Sequence, residues 1–403
     1  MAFDTASFRA LFPSLDSGIA HFDGPGGTQT PLPVAEAITR VLVGPLSNRG
    51  RATASERNAD EAVVAFREAV AGLTGGDPRG VVYGRSATQL AYDFARHLGR
   101  HWTADDEVVV SRLDHDSNVR PWVQAAERAG AQVRWIDFDP ETGELDLDSA
   151  TAAIGPRTRL VAVTGASNLI GTKPPVRSVA DLAHAAGALV WVDGVHLAAH
   201  TFVDVRELGA DFFVCSAYKF LGPHCSALAA DPALLETIEV EKLAPSTDVV
   251  PERFEYGTLP YEQMAGVTAA IDLLASLGDA DASAPRRERL ASAFAVLHEH
   301  EARLIERLEA GLATFGDRVV LHSRAADRTP TQTITFRDRS TADAARFLTE
   351  RDIALGSSDF YAYEAAIRLG LPDSAGLRMG VAPYTTEDEV DRLLTGLRAF
   401  LES

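Results

Sequence analysis

The chain has 403 residues, 46% of them hydrophobic, and a formal net charge of −19. That length buries a large core and predicts two or three structural units, while the excess of acid excludes a nucleic-acid partner, whose phosphates it would repel. Only two cysteines occur, Cys215 and Cys225. They lack metal-ligand spacing and are too few for a disulfide framework, so we expect no metal site and a reducing, cytoplasmic compartment. The opening MAFDTASFRALFPSL does not read as a signal peptide, and no run of about 18 apolar residues predicts a membrane span.

In chain order, residues 1–25 read as an N-terminal arm packing on a small domain or on a partner subunit, 26–262 as a large domain and 263–403 as the small C-terminal domain. From about residue 80 to 230, short apolar runs alternate with helical patterns. The expected strands are 80–84, 107–111, 131–138, 159–165, 188–193, 211–216 and 226–230. Helix-period segments such as QLAYDFARHLG, PWVQAAERAG and VADLAHAAG lie between several of them, the last two ending in Gly. Continuous apolar strands alternating with helices predict an α/β fold with a mostly parallel seven-stranded sheet covered on both faces. Such sheets bind ligands at the carboxyl ends of their strands, which directs attention to the polar residues just beyond each one. After about residue 262 the pattern becomes α+β. A long helix (RERLASAFAVLHEHEARLIERLEAGLATFG) leads to strands VVLHS and TQTITF, a helix TADAARFLTERD, a strand pair around IALGSS and LRMGVAP, and a last helix started by a Thr386/Glu389 capping box.

Lysine is rare, at positions 173, 219 and 242 only. Lys219 directly follows an apolar strand, in CSAYKFLGPH, where desolvation would lower its pKa and leave a nucleophilic amine; the competing reading is a lysine reaching to water. Asp193 ends the strand ALVWVD and needs a partner there, which a pyridinium nitrogen would provide; it could equally cap a turn. Ser86, Ala87 and Thr88 open a helix after a strand, as an anion site or as an ordinary N-cap. His115 and Asn168 also sit just past strands, where an imidazole could stack on a flat cofactor and an amide could donate to a ring oxygen; both residue types are also common as purely structural ones.

Taken together, the ordered segments SAT, DHDSN, SNLIGT, VDGVH and SAYKFLGP resemble the class V aminotransferase family of fold-type I pyridoxal 5′-phosphate (PLP) enzymes, in the cysteine desulfurase-like and selenocysteine lyase branch. The similarity runs from FDGPGGTQTP to LRMGVAPYTTEDEVDRLL. It implies that Lys219 carries PLP as a Schiff base, Asp193 pairs with the pyridine nitrogen and His115 stacks on the ring. Thr88, Ala87 and Ser216 would hold the phosphate, with Ser86, His196 and Tyr218 beside the cofactor. Gly27, Asn168 and Arg378 would meet the substrate, with Asn168 and Arg378 contacting the substrate carboxylate, Arg378 bidentately. Thr258 would reach the cofactor of a second subunit, which implies a homodimer with shared sites.

Two features depart from the desulfurase pattern. His196 stands where desulfurases have Gln, as in kynureninase-like and isopenicillin N epimerase-like members. The segment LGSSDFYAYEAAIRLGL, where a mobile persulfide-forming cysteine is expected, contains none. The expected function is therefore PLP-dependent lyase or transferase chemistry on a small α-amino acid, with cysteine or a cysteine S-conjugate first. Transamination, epimerisation and decarboxylation share the opening steps and stay open. A non-catalytic PLP-fold binding protein is the alternative from another class; retention of Lys219, Asp193, His115 and Arg378 together argues against it.

Overall fold

The computed structural model describes residues 3–403. Its larger sheet contains β1 (Val81–Gly84), β2 (Glu107–Ser111), β3 (Gln132–Ile136), β4 (Thr158–Thr164), β5 (Leu189–Asp193), β6 (Phe212–Ser216) and β7 (Ser226–Ala230), in the order β1-β7-β6-β5-β4-β2-β3. Only β7 runs against its neighbours. Strand alternation divides each apolar run between two cores. Val190 and Val192 of β5 join one and Trp191 the other, because successive side chains point to opposite faces. Helices Ala54–Thr74, Val176–Ala185 and Tyr261–Ala275 cover the first face, and Ala87–Leu98 and Arg120–Ala129 the second. With both faces covered, the central strands need no polar face, which explains runs such as FFVCS and LVWVD. β3 at the sheet edge is half exposed.

The smaller sheet is antiparallel: β8 (Val319–Leu321), β9 (Thr331–Phe336), β10 (Gly356–Ser358) and β11 (Gly376–Gly380), ordered β10-β11-β9-β8. Its core includes residues of helices Thr341–Thr349 and Glu387–Glu402 and the C-terminal half of the long helix Arg286–Ala313. The last helix begins with the expected capping box: Thr386 N–H donates to Glu389 Oε2 (2.9 Å) and Glu389 N–H to Thr386 Oγ1 (3.2 Å). Among the described residues, no helix is long and apolar enough to cross a membrane.

Two expectations need adjustment. The run 353–358 is not one strand. Ile353–Ala354 pairs in parallel with Ala20–His21 near the N-terminus, and only Gly356–Ser358 joins β11. The core also does not change hands at residue 262. Met264, Ile271, Leu290 and Leu297 pack with the large-sheet core, whereas Leu304 and Leu308 pack with the small-sheet core. The changeover falls inside one continuous helix, where composition gives no sign of it. The N-terminal arm likewise divides, Phe8 and Phe12 joining the first core and Ala20 and Phe22 the third.

Candidate active site

The carboxyl ends of β1, β2, β4, β5 and β6 lie along one edge of the sheet, because these strands share a direction. A cavity of about 850 Å3 opens there, walled also by residues 25–26, Ser358, Phe360, Tyr361 and Arg378. The loop after each strand contributes a polar group, so residues scattered from 86 to 378 converge.

After β6, Lys219 directs its Nζ at the carbonyl oxygens of Pro25 and Gly26, the latter at 3.2 Å. Burial, with Arg378 adding like charge, pulls its pKa down to about 7. Its amine is thus substantially neutral near pH 7, the form that attacks carbonyl carbon. The other two lysines are paired at the surface, Lys173 with Asp327 (2.6 Å) and Lys242 with Asp248 (3.1 Å).

At the end of β5, Asp193 is buried, with one oxygen accepting from Val195 N–H at 2.9 Å. Burial pushes its carboxyl up to about 6, so a cationic partner in the cavity would stabilise it. Glycine is required at 194: a Cβ there would lie 2.0 Å from the Phe213 ring. That close approach sets the turn that brings His196 to the cavity. His196 Nε2 lies 3.0 Å from Thr331 Oγ1 and 2.9 Å from Thr329 Oγ1, and its buried Nδ1 has no partner. Burial holds this imidazole neutral.

His115, after β2, accepts from Ser117 N–H at Nδ1 (3.0 Å) and stacks on Tyr361 (centroids 5.6 Å, 26°). Burial first, then Lys219 and Arg378, lower its pKa to about 4, so it too is neutral. After β1, Ser86 Oγ accepts from Gln89 N–H and caps the helix Ala87–Leu98. The hydroxyl does what an N-cap does, and Ala87 and Thr88 of the helix's first turn stand in the cavity wall, where first-turn amides lack partners within the helix. Arg378, on β11, is buried; its Nη1 donates to the Asn168 carbonyl (2.7 Å) and its guanidinium lies 3.6 Å from the Phe360 ring centroid. Burial lowers its pKa to about 9, still cationic near neutral pH.

Asn168 Nδ2 donates one of its two N–H groups to Phe360 O (2.9 Å), and its buried Oδ1 has no partner, so the amide keeps both a donor and an acceptor to offer. Three expected residues do not line the cavity. Ser216 Oγ is paired with Ser226 Oγ at 2.7 Å. Gly27 packs under Tyr218, where a Cβ would lie 3.3 Å from the ring; Tyr218 itself lines the cavity and stacks on His224. Thr258 is exposed. Sequence reasoning missed Tyr92, Arg120 and Gln124, which lie on helix faces with no strand end beside them. It also missed buried Asp114, which accepts from Asn118 Nδ2 (2.6 Å) and is pushed up to about 8 by burial; its place in the DHDSN segment was the available signal.

The Aminotransferase class-V family matches residues 20–393. An uncharacterized protein of Mycobacterium tuberculosis is 34% identical, covering 98% of this chain and 99% of its own. A probable cysteine desulfurase of Pseudomonas aeruginosa is 32% identical, with 98% of each chain covered. The crystal structure of the cysteine desulfurase CsdA from Escherichia coli superposes with a TM-score of 0.87 at 27% identity, over 100% of this chain and 99% of that one.

Proposed function

The chain belongs to the class-V aminotransferase family and is a PLP-dependent enzyme, and from that premise we propose that it acts on cysteine or a cysteine S-conjugate, releasing the sulfur group by β-elimination. The observation that carries this reading is the convergence of Lys219, Asp193, His115 and Arg378 on one cavity beside a segment, 355–371, that carries no thiol. The residues also fit the cofactor. His196 Nδ1 and Asn168 Oδ1 are buried and unpartnered at a cavity that holds the Asp193 carboxylate and a helix N-terminus. Asp193 would face the ring nitrogen, His196 the phenolic oxygen and the Ala87–Thr88 turn the phosphate, with Lys219 as the attachment point.

When bound, PLP supplies an electron sink for the substrate α-carbon. Arg378 binds the substrate carboxylate with its remaining donors and so fixes the orientation of Cα. Lys219 Nζ, with a pKa of about 7, takes the α-proton and passes it to the departing sulfur, a match to operating pH that general acid–base work requires. His115, neutral and packed against Tyr361, walls the site and limits water entry. For cysteine the balance is one cysteine and one water giving hydrogen sulfide, pyruvate and ammonia. An S-conjugate yields the corresponding thiol. An amino-acid and S-conjugate panel tests this, with sulfide, pyruvate, ammonia and carbon dioxide all measured. Carbon dioxide or an epimer as the sole product would replace β-elimination with another branch of the family's chemistry.

Both cysteines are buried and about 1% exposed, and burial pushes each thiol up to about 12. A sulfur acceptor must be an accessible thiolate, so neither can serve. The double variant Cys215→Ala/Cys225→Ala should keep turnover within about threefold, since neither thiol meets the reacting atoms, and no protein persulfide should accumulate. A persulfide on either cysteine during turnover, with alanine as co-product, would restore a desulfurase reaction.

The expected homodimer has support in the position of Thr258, exposed and outside its own chain's cavity. Sedimentation of the holoenzyme should give twice the chain mass. A monomer with full activity would remove Thr258 from the site.

A further inference from the structure

Ser358, the last residue of β10, and Phe360 and Tyr361, between β10 and the short helix Tyr363–Arg368, line the cavity. No regular element holds residues 359–361; groups distant in sequence do. Glu364 accepts from Arg112 Nη1 at 2.8 Å and from Arg120 Nη2 at 2.7 Å, and its side chain is only 12% exposed. Arg120 also meets Asp116 at 2.9 Å. Asp116 N–H donates to Tyr361 O (2.6 Å) and Asn168 Nδ2 to Phe360 O (2.9 Å). Phe360 lies against Arg378 and Tyr361 against His115. Both loop residues have positive φ, +51° and +59°. That region is unfavourable for residues with a Cβ, so the conformation persists because its surroundings impose it. Two arginines and two carboxylates offset one another in this wall, and Asp359 turns its own carboxylate back to Tyr361 N–H (2.9 Å).

We infer that Glu364 is a positioning residue that fixes Ser358–Tyr361 as a rigid wall of the amino-acid site, and that Phe360 and Tyr361 in that wall select substrates with an uncharged side chain. The inference rests on reading the cavity as an amino-acid site. A fixed wall is the opposite of the swinging arm a sulfur carrier needs. It meets the substrate side chain with aromatic and hydroxyl groups, its arginines are paired with Glu364 and Asp116, and the Asp359 carboxylate is turned to the Tyr361 N–H, so a charged side chain entering it would lose hydration without gaining a free counter-charge.

The test uses holoenzyme and its Glu364→Gln and Glu364→Ala variants, with folding checked by circular dichroism. Chymotrypsin cleavage after Phe360 or Tyr361 reports the wall without any substrate. The wild type should resist, and the variants should be cut at least about tenfold faster, because cleavage follows local opening. KM for cysteine should rise about tenfold with kcat within about threefold, the pattern of lost binding organisation and not of lost chemistry. If Glu364→Ala does not fold, Arg112→Gln, which removes one of the two pairs, is read the same way. A wild type cut as fast as the variants, folded variants as resistant as the wild type, or equal kcat/KM for neutral and acidic side chains would each overturn the inference. If the wild type turns over no amino acid at all, the functional reading fails, while the proteolysis result still decides the clamp.

Discussion

Lys219→Ala is expected to abolish the covalent link to the cofactor and to lower turnover by about 10⁴-fold or more, because in the proposed reaction one side chain would serve as both attachment point and α-proton base. Its surroundings explain why this amine is chosen. Lys173 and Lys242 are engaged by Asp327 and Asp248 outside the cavity, whereas Lys219 is desolvated beside Arg378 and brought down to about 7. Neutral amine is the reactive form, so the rate of covalent capture of PLP by apoenzyme should rise with pH and reach half its maximum near pH 7. Borohydride reduction of the holoenzyme should tag the peptide containing Lys219. A tag on Lys173 or Lys242, or unchanged turnover in the alanine variant, would move the attachment point elsewhere.

The parts of this site that were legible in the sequence are those that local rules determine. β2 and β7 match their expected ranges, and the others differ by a residue or two at their ends, because β-branched and aromatic runs between Gly and Pro signals leave few alternatives. In a sheet of this kind, the residue after a parallel strand faces the ligand edge. That rule alone reaches His115, Asn168, Asp193 and Lys219. What remained hidden depends on tertiary placement. Glu364 lies 252 residues from Arg112 and 244 from Arg120, and no periodicity links them. The direction of the Asn168 amide is decided by Phe360 O, a backbone atom that a loop places there. Ser216 stood in the expected position but found a nearer partner in Ser226 across an antiparallel pair. The division between cores escaped for a related reason. Helix Arg286–Ala313 is amphipathic from end to end, and which core each half meets depends on how the two sheets are set around it.

Asp193→Asn should move activity and stability in opposite directions. With PLP bound, the Asp193 carboxylate would face the ring nitrogen and favour its protonated form, the form in which the cofactor is the better electron sink. An amide of the same shape cannot hold that proton electrostatically. Turnover should fall by about 10³-fold or more, the scale of removing a preorganised charge from a water-poor site. In the apoprotein the same carboxylate is a liability. Burial raises its pKa from 3.8 to about 6, so ionising it in the fold costs on the order of a few kcal/mol. The sign follows from which state binds the proton more tightly. Below pH 3.8 both folded and unfolded chains carry it, and no penalty arises. Between 3.8 and 6 the unfolded chain ionises first, and the folded state loses stability. Above about pH 6 the whole penalty is present. The asparagine variant should therefore melt at a higher temperature than wild-type apoprotein at pH 7.5, and the gap should close on acidification toward pH 4. Adding PLP should narrow the gap from the other side, because a cationic ring nitrogen stabilises only the wild-type carboxylate, and ligand that binds the folded state raises its stability. Melting curves of apo and loaded protein at two pH values, beside steady-state rates, measure all of this. An asparagine variant that melts lower than wild type at pH 7.5, or that turns over at a near-normal rate, would mean that Asp193 is a structural turn residue with no part in holding the cofactor.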